Sequence, residues 1–211
     1  MTFDRSLAIL RRAVAEGACP GYAVCVGVGD EICVTEVYGR LAGPDSPPVT
    51  PETRYDMASL TKVLGATQLA WLALEAGELT LLDTVGSFFP DAPADKREIT
   101  AFQLLTHQSG MEPSFRLDQL GIAPEESLRA ILAHPLAYPT GTEVRYSCMG
   151  FITLGRMLER VYALPLEAAA ARYVFGPLGM AHTGYRPEGG NIAPTELDAA
   201  TGKPWQGVVH D

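Results

Sequence analysis

The chain contains no run of about 18 uninterrupted apolar residues, the length a membrane-spanning helix needs, although 47% of its 211 residues are hydrophobic. No transmembrane span is expected. Positive charge is scarce: 16 Lys and Arg stand against 25 Asp and Glu, a formal net charge of -9. That balance argues against nucleic acid or an anionic membrane surface as partner. Cysteine is rare as well. Cys19, Cys25, Cys33 and Cys148 show neither Cys-x-x-Cys nor Cys/His ligand spacing, and three of them lie in apolar or strand-like surroundings. They read as buried thiols of a reducing compartment rather than as disulfides. His107, His134 and His210 have no metal spacing and are expected to be structural. Gly27 and Gly29 lack the third glycine and the following helix that a dinucleotide cradle requires. No metal or organic cofactor is implied. The opening residues, Met-Thr-Phe-Asp-Arg-Ser-Leu-Ala, lack the apolar run ahead of a small-residue cleavage site that marks a secretory signal, so a cytoplasmic enzyme is expected. There is no internal repeat and no low-complexity segment.

What the chain does contain is enough length to bury roughly 70% of its unfolded surface and a readable order of elements. Leu7, Ile9, Leu10 and Val14 recur at helical spacing, predicting a helix over 3–16 that ends at Gly17. Tyr22 to Val28 and Ile32 to Tyr38, joined at Gly29-Asp30, predict a β-hairpin. Residues 41–53, rich in Pro, Gly and Asp, form a loop. From Ser59 to Glu75 the pattern is helical and apolar nearly all round, predicting a buried central helix closed by Gly77. Short helical pieces follow between Pro90, Pro93 and His107. Further helices are expected over 124–134, 150–162 and 166–175, and residues 185–211 show no regular period.

The sharpest chemical signal is Ser59-Leu60-Thr61-Lys62. Residues three apart on a helix share a face, with Cβ atoms about 5–6 Å apart, so the Lys62 amine can reach the Ser59 hydroxyl. A serine hydroxyl needs a neighbouring base to become a nucleophile. Burial of Lys62 by Leu60, Val63 and Leu64 would disfavour its charged form and suit it to that task. Asp56 is placed to cap the first turn, with Ser59 near the positive end of the helix dipole.

A second element, Tyr146-Ser147-Cys148, lies in Pro-Thr-Gly-Thr-Glu-Val-Arg-Tyr-Ser-Cys-Met-Gly. Together with Leu104-Leu-Thr-His-Gln-Ser-Gly-Met and Gly176-Pro-Leu-Gly-Met, these motifs resemble the serine β-lactamase and penicillin-binding-protein superfamily, in its class-C-like branch of esterases and D-amino-acid peptidases. The resemblance runs from Phe3 to Asp211. It implies an α/β fold in three layers, an antiparallel sheet backed by helices with a mainly helical lobe. It also implies an acyl-enzyme in which Ser59 attacks a carbonyl, Lys62 and Tyr146 manage protons, and the Ser59 N–H supplies half of an oxyanion hole. Either Lys62 or Tyr146 can be the acylating base on this reading.

Cys148 departs from the family's usual Asn, whose amide donates to the acyl side chain of the substrate. A thiol is at best a weak donor, which moves the expected substrate from β-lactams and peptides toward small carboxylic esters, with amides and β-lactams behind. His182-Thr183-Gly184 imitates the family's third motif but sits at a helix end ahead of a loop, whereas the true motif lies on a strand, so it is read as a decoy. The last residues, Ile192 to Asp211, resemble a mid-domain loop, and the C-terminal strands of the family are expected to be missing. The expected organisation is a single truncated unit over 1–211, with 1–60 and 145–211 forming its sheet-and-helix part and 61–144 its mainly helical part. A two-stranded sheet would leave an open edge for self-association. The rival to the enzyme is a degenerate relative that binds a partner without catalysis.

Overall fold

The computed structural model describes residues 2–115, 117–196, 198 and 201–208; His210 lies outside the described residues. The chain divides into two compact units, Met1–Ala58 with His182–Asp211, and Ser59–Ala181. Residues 145–181 belong to the second of these units.

In the first unit α1 (Asp4–Ala15) opens with an acidic first turn and closes with Arg12 in its last, the arrangement that complements the helix dipole. Gly17 follows in the left-handed conformation, φ 77°. Leu7, Leu10, Ala13 and Val14 form its partly buried stripe, while Ile9 is exposed. Strands β1 (Gly21–Val28) and β2 (Glu31–Gly39) pair antiparallel, with Gly21 opposite Gly39 and an irregularity between Val26 and Gly27. The glycine pair is a steric requirement: a Cβ on Gly39 would lie 2.5 Å from the Pro20 carbonyl oxygen, and one on Gly21 2.5 Å from that of Arg40. Leu41, Val49 and Ala193 form a small core with Val37 against it. Arg11 of α1 grips both carboxylate oxygens of Glu36 of β2 through its Nε and Nη2, and the Tyr22 hydroxyl donates to the same carboxylate at 2.5 Å.

All four cysteines are free, but none is buried. Cys25 and Cys33 are exposed, and Cys19 and Cys148 are half-buried. The period-2 alternation of the hairpin explains the first two: Val24, Val26 and Val34 share the covered face, and Cys25 and Cys33 take the other. No strand includes His182-Thr183-Gly184, which lies in turn and irregular backbone.

The second unit is helical. A π-wound segment, Lys62–Thr67, runs into α2 (Gln68–Ala76), which Gly77 closes at φ 74°. Short helices α3 (Val85–Phe88), α4 (Ala94–Arg97) and α5 (Ala101–Leu105) follow. Reciprocal capping boxes start α3 at Thr84/Ser87 and α5 at Thr100/Gln103, which lets such short pieces hold their orphan amides. Next come α6 (Ser127–Ala133), α7 (Cys148–Tyr162) and α8 (Leu166–Ala170), the last continuing into a second π-wound stretch, Ala171–Phe175. Leu69, Ala70 and Ala73 of α2, Leu104 of α5, Leu154, Met157 and Leu158 of α7, and Ala169 and Ala170 of α8 are almost wholly buried. Each large side chain among them contributes about 1.5–3 kcal/mol by leaving water.

The segment from 60 to 76 is helical as its pattern predicts, but it is not buried all round. Gly65, Ala66, Leu69, Ala70 and Ala73 make the covered stripe, while Leu60, Val63, Trp71 and Leu72 are exposed. Small residues at helical spacing bring the neighbouring helices close on that one side, and the bulky residues face away. Among the described residues no helix is long and apolar enough to cross a membrane.

Candidate active site

Ser59 stands in the turn immediately before the helical residues 60–76. Three residues later the Lys62 amide bonds back to the Ser59 carbonyl at 3.1 Å. That turn brings the side chains together as their spacing requires, and Lys62 Nζ donates to Ser59 Oγ at 3.2 Å. Asp56 does not cap the helix. Its Oδ1 accepts from the Ala58 amide at 2.7 Å, closing an Asx turn that satisfies a local donor before the helix begins. Ala58 itself takes a left-handed φ of 43°, a strained choice for a residue with a Cβ.

Tyr146 and Cys148 reach the same place from the start of α7. Lys62 Nζ lies 5.0 Å from the centroid of the Tyr146 ring, within range of a cation–π contact, and Tyr146 is 48% exposed. Burial pulls the Lys62 pKa down, but hydrogen bonding and charge from Tyr146 and Cys148 outweigh it, so the net shift is upward from the ordinary lysine value. The expectation that desolvation makes Lys62 a neutral amine is therefore reversed. Burial is the largest single influence, but the hydrogen bonds and charge of Tyr146 and Cys148 together exceed it and favour the ammonium.

The backbone beneath Tyr146 is stitched to the loop that follows α5. Ser147 caps α7, its Oγ accepting from the Gly150 amide at 3.0 Å and donating to the Glu112 carbonyl at 2.7 Å. The Cys148 amide donates to the Pro113 carbonyl at 2.7 Å, and the Arg145 amide to the His107 carbonyl at 2.9 Å. Further along, Thr140 Oγ1 donates to the Ser109 carbonyl at 2.8 Å, and the Ala137 and Gly141 amides donate to Gly110 and Gln108 at 2.8 Å each. Gly110 has φ 79°, and a Cβ there would fall 2.4 Å from the Tyr138 carbonyl oxygen. The Thr-His-Gln-Ser-Gly segment is thus a scaffold for Tyr146.

His107, expected from the sequence to be structural, lies inside this cluster. Its Nδ1 accepts from the Ser147 amide at 3.1 Å, and its ring packs against Tyr146 at 4.7 Å and Phe151 at 4.9 Å between centroids. Burial first, and then the charge of Lys62, hold its pKa below the ordinary histidine value. The only sequence signal was the motif around it, because the partner amide is 40 residues away. His134, by contrast, stacks on Phe115 at 4.6 Å.

Known proteins are similar to this chain over most of its length. The family model described as Beta-lactamase covers residues 8–208. N-acetylmuramyl-L-alanine amidase of Bacillus subtilis (strain 168) is 28% identical over 161 residues, 70% of this chain and 36% of the amidase. Among solved structures, EstCE1, described as a hydrolase with promiscuous acyltransferase activity, superposes with a TM-score of 0.81 at 27% identity, covering 96% of this chain and 58% of its own. A class C β-lactamase shares the fold with a TM-score of 0.83 at 23% identity, covering 99% of this chain and 56% of its own. The chain spans little more than half the length of these solved relatives.

Proposed function

The chain belongs to the β-lactamase family, and from that premise we propose that it is a serine hydrolase working through an acyl-enzyme on Ser59, with small carboxylic esters as its substrates. The observation that carries the proposal is the 3.2 Å contact between Lys62 Nζ and Ser59 Oγ, with the Tyr146 ring beside the same ammonium. Ser59 Oγ attacks the carbonyl carbon, Tyr146 as its phenolate takes the hydroxyl proton, and collapse of the tetrahedral intermediate breaks the bond to the leaving alcohol, which takes that proton from Tyr146 and leaves Ser59 acylated. Lys62, whose pKa is raised despite its burial, stays an ammonium and supplies positive charge to whichever oxygen is short of a proton. The Ser59 N–H donates to the developing oxyanion as one half of its binding site, a donor whose loss alone costs about a hundredfold to a thousandfold in rate. Water then attacks the acyl-enzyme, and the proton flow reverses.

Esters are favoured over amides by Cys148, whose thiol is a weak donor for an acyl amide, and the likeness to EstCE1 supports acyl transfer in general. The likeness to an amidase supports amides, including D-amino-acid peptides and β-lactams, as the second class. The test is intact mass after reaction with an activated phosphonate. One adduct is expected, absent in Ser59→Ala, with turnover of a p-nitrophenyl ester greatly reduced in Lys62→Ala and Tyr146→Phe. Labelling that persists in Ser59→Ala refutes the nucleophile. A folded protein that takes no label is instead the non-catalytic binding module.

A further inference from the structure

We propose that His107, with Nδ1 unprotonated, is the positioning residue that sets the Tyr146 ring beside Lys62; this rests on the reading of Ser59, Lys62 and Tyr146 just given. An amide can only donate, so the 3.1 Å contact from the Ser147 N–H requires a lone pair on Nδ1 and places the ring proton of neutral His107 on Nε2. The imidazole lies between Tyr146 and Phe151, and the carbonyl of the same residue takes the Arg145 amide at 2.9 Å and the Tyr138 hydroxyl at 3.3 Å. Side chain and backbone of one residue therefore fix positions 145, 146 and 147 together. At φ 58° histidine is among the few residues with a Cβ that are tolerated, with asparagine and aspartate, and the imidazole held there satisfies the Ser147 amide and packs on Tyr146.

The titratable and charged groups on the stretches of the packed elements around its contacts are Lys62 on the π-wound segment, Tyr138, Glu143, Arg145 and Tyr146 on the segment before α7, Cys148 at the start of α7, and Glu112 on its own loop. Of these, Arg145 is engaged by Glu143 at 2.7 Å and lies over the Tyr138 ring at 4.8 Å. Lys62 is the charge that acts on His107. Protonating His107 would set a donor against the Ser147 donor and add a second cation next to Lys62. Activity is thus present above the His107 pKa and lost as pH falls through it. Burial and Lys62 place that transition below the ordinary histidine range.

The experiment measures the rate of Ser59 phosphonylation against pH in the wild type, His107→Asn and His107→Ala, with the Ser147 amide and His107 ring followed by 15N NMR over the same range. Asn tolerates the left-handed backbone, offers a carbonyl to the Ser147 amide and cannot take up a proton. The expected wild-type rate falls in acid with the same midpoint as the Ser147 and His107 resonances. His107→Asn keeps a neutral-pH rate near that of the wild type and loses that limb. His107→Ala is slower by about three- to tenfold across the range, the rate equivalent of one hydrogen bond, at unchanged secondary structure. An acid limb that survives in His107→Asn, a wild-type rate in His107→Ala, or Nε2 found unprotonated in the neutral ring overturns the proposal while leaving Ser59 in place. Label found on a residue other than Ser59 overturns the reading beneath it, and the NMR titration then still decides whether His107 holds the Ser147 amide.

Discussion

Replacing Ser147 with alanine tests whether the start of α7 is held as the hydrogen bonds indicate. The side chain is 1% exposed and makes two bonds, one from the Gly150 amide and one to the Glu112 carbonyl. Losing the cap costs about 1 kcal/mol, within a range of about 0.5–2. Leaving the Glu112 carbonyl without its donor costs about 1 kcal/mol more. The first turn cannot relieve this by fraying, because Met149, Gly150 and Phe151 are themselves buried. The sum is about 2 kcal/mol, which for a chain of this length lowers the Tm by about 4–8 °C. Ser147→Gly separates the two contributions, since glycine at an N-cap gives up only a few tenths and retains the loss at Glu112. It should fall near the midpoint, at about 1 kcal/mol. Urea unfolding followed by far-UV circular dichroism measures both variants. A cost below about 0.5 kcal/mol for alanine, or equal costs for alanine and glycine, would refute this account of the cap.

Two further outcomes follow from the residues described. Cys148→Asn should raise the acylation rate of β-lactams or amide-bearing peptides relative to simple esters by about two- to tenfold, the equivalent of one restored hydrogen bond; paired acylation rates by stopped-flow give the ratio, and an unchanged ratio makes the thiol a packing residue only. Glu36 is held below the usual carboxylate range by its hydrogen bonds first to Arg11 and then to Tyr22, so it contributes stability above its unfolded pKa of about 4.3. Glu36→Gln should therefore be less stable than wild type at neutral pH, with the gap closing as pH falls through the folded value of Glu36. A gap independent of pH in denaturant titrations would show that the charge contributes nothing.

Local rules located the elements and the contact at Ser59. The periodicity of Leu7, Leu10 and Val14 gives α1, the Gly29-Asp30 turn gives the hairpin, and the three-residue spacing of Ser59 and Lys62 gives a meeting of side chains that depends on one turn of backbone. The failures have a common physical cause. Whether Trp71, Leu72, Cys25 or Cys33 is covered depends on what packs against each face, and hydrophobicity along the chain reports only what would prefer to be covered. The direction of the Lys62 shift turned on Tyr146 and Cys148, which outweighed the desolvation that Leu60 and Val63, both exposed, had been expected to supply. The sequence marks His107 as structural but hides its partner, an amide 40 residues on, because no period or spacing encodes such a pair. Asp56 read as a helix cap because an Asx turn and an N-cap use the same residue types.

The seam between residues 107–113 and 137–148 is written almost wholly in main-chain carbonyls: those of His107, Gln108, Ser109, Gly110, Glu112 and Pro113 each receive a donor from the facing segment. Every amino acid carries that carbonyl, so the seam imposes little spelling on the side chains at Gln108, Glu112 and Pro113. Such a mount lets evolution or an engineer rewrite the rim of the cleft, including position 148, without re-solving the placement of Tyr146. Among the letters it does fix, for a special backbone or a side-chain bond, are His107, Gly110, Tyr138, Thr140 and Ser147.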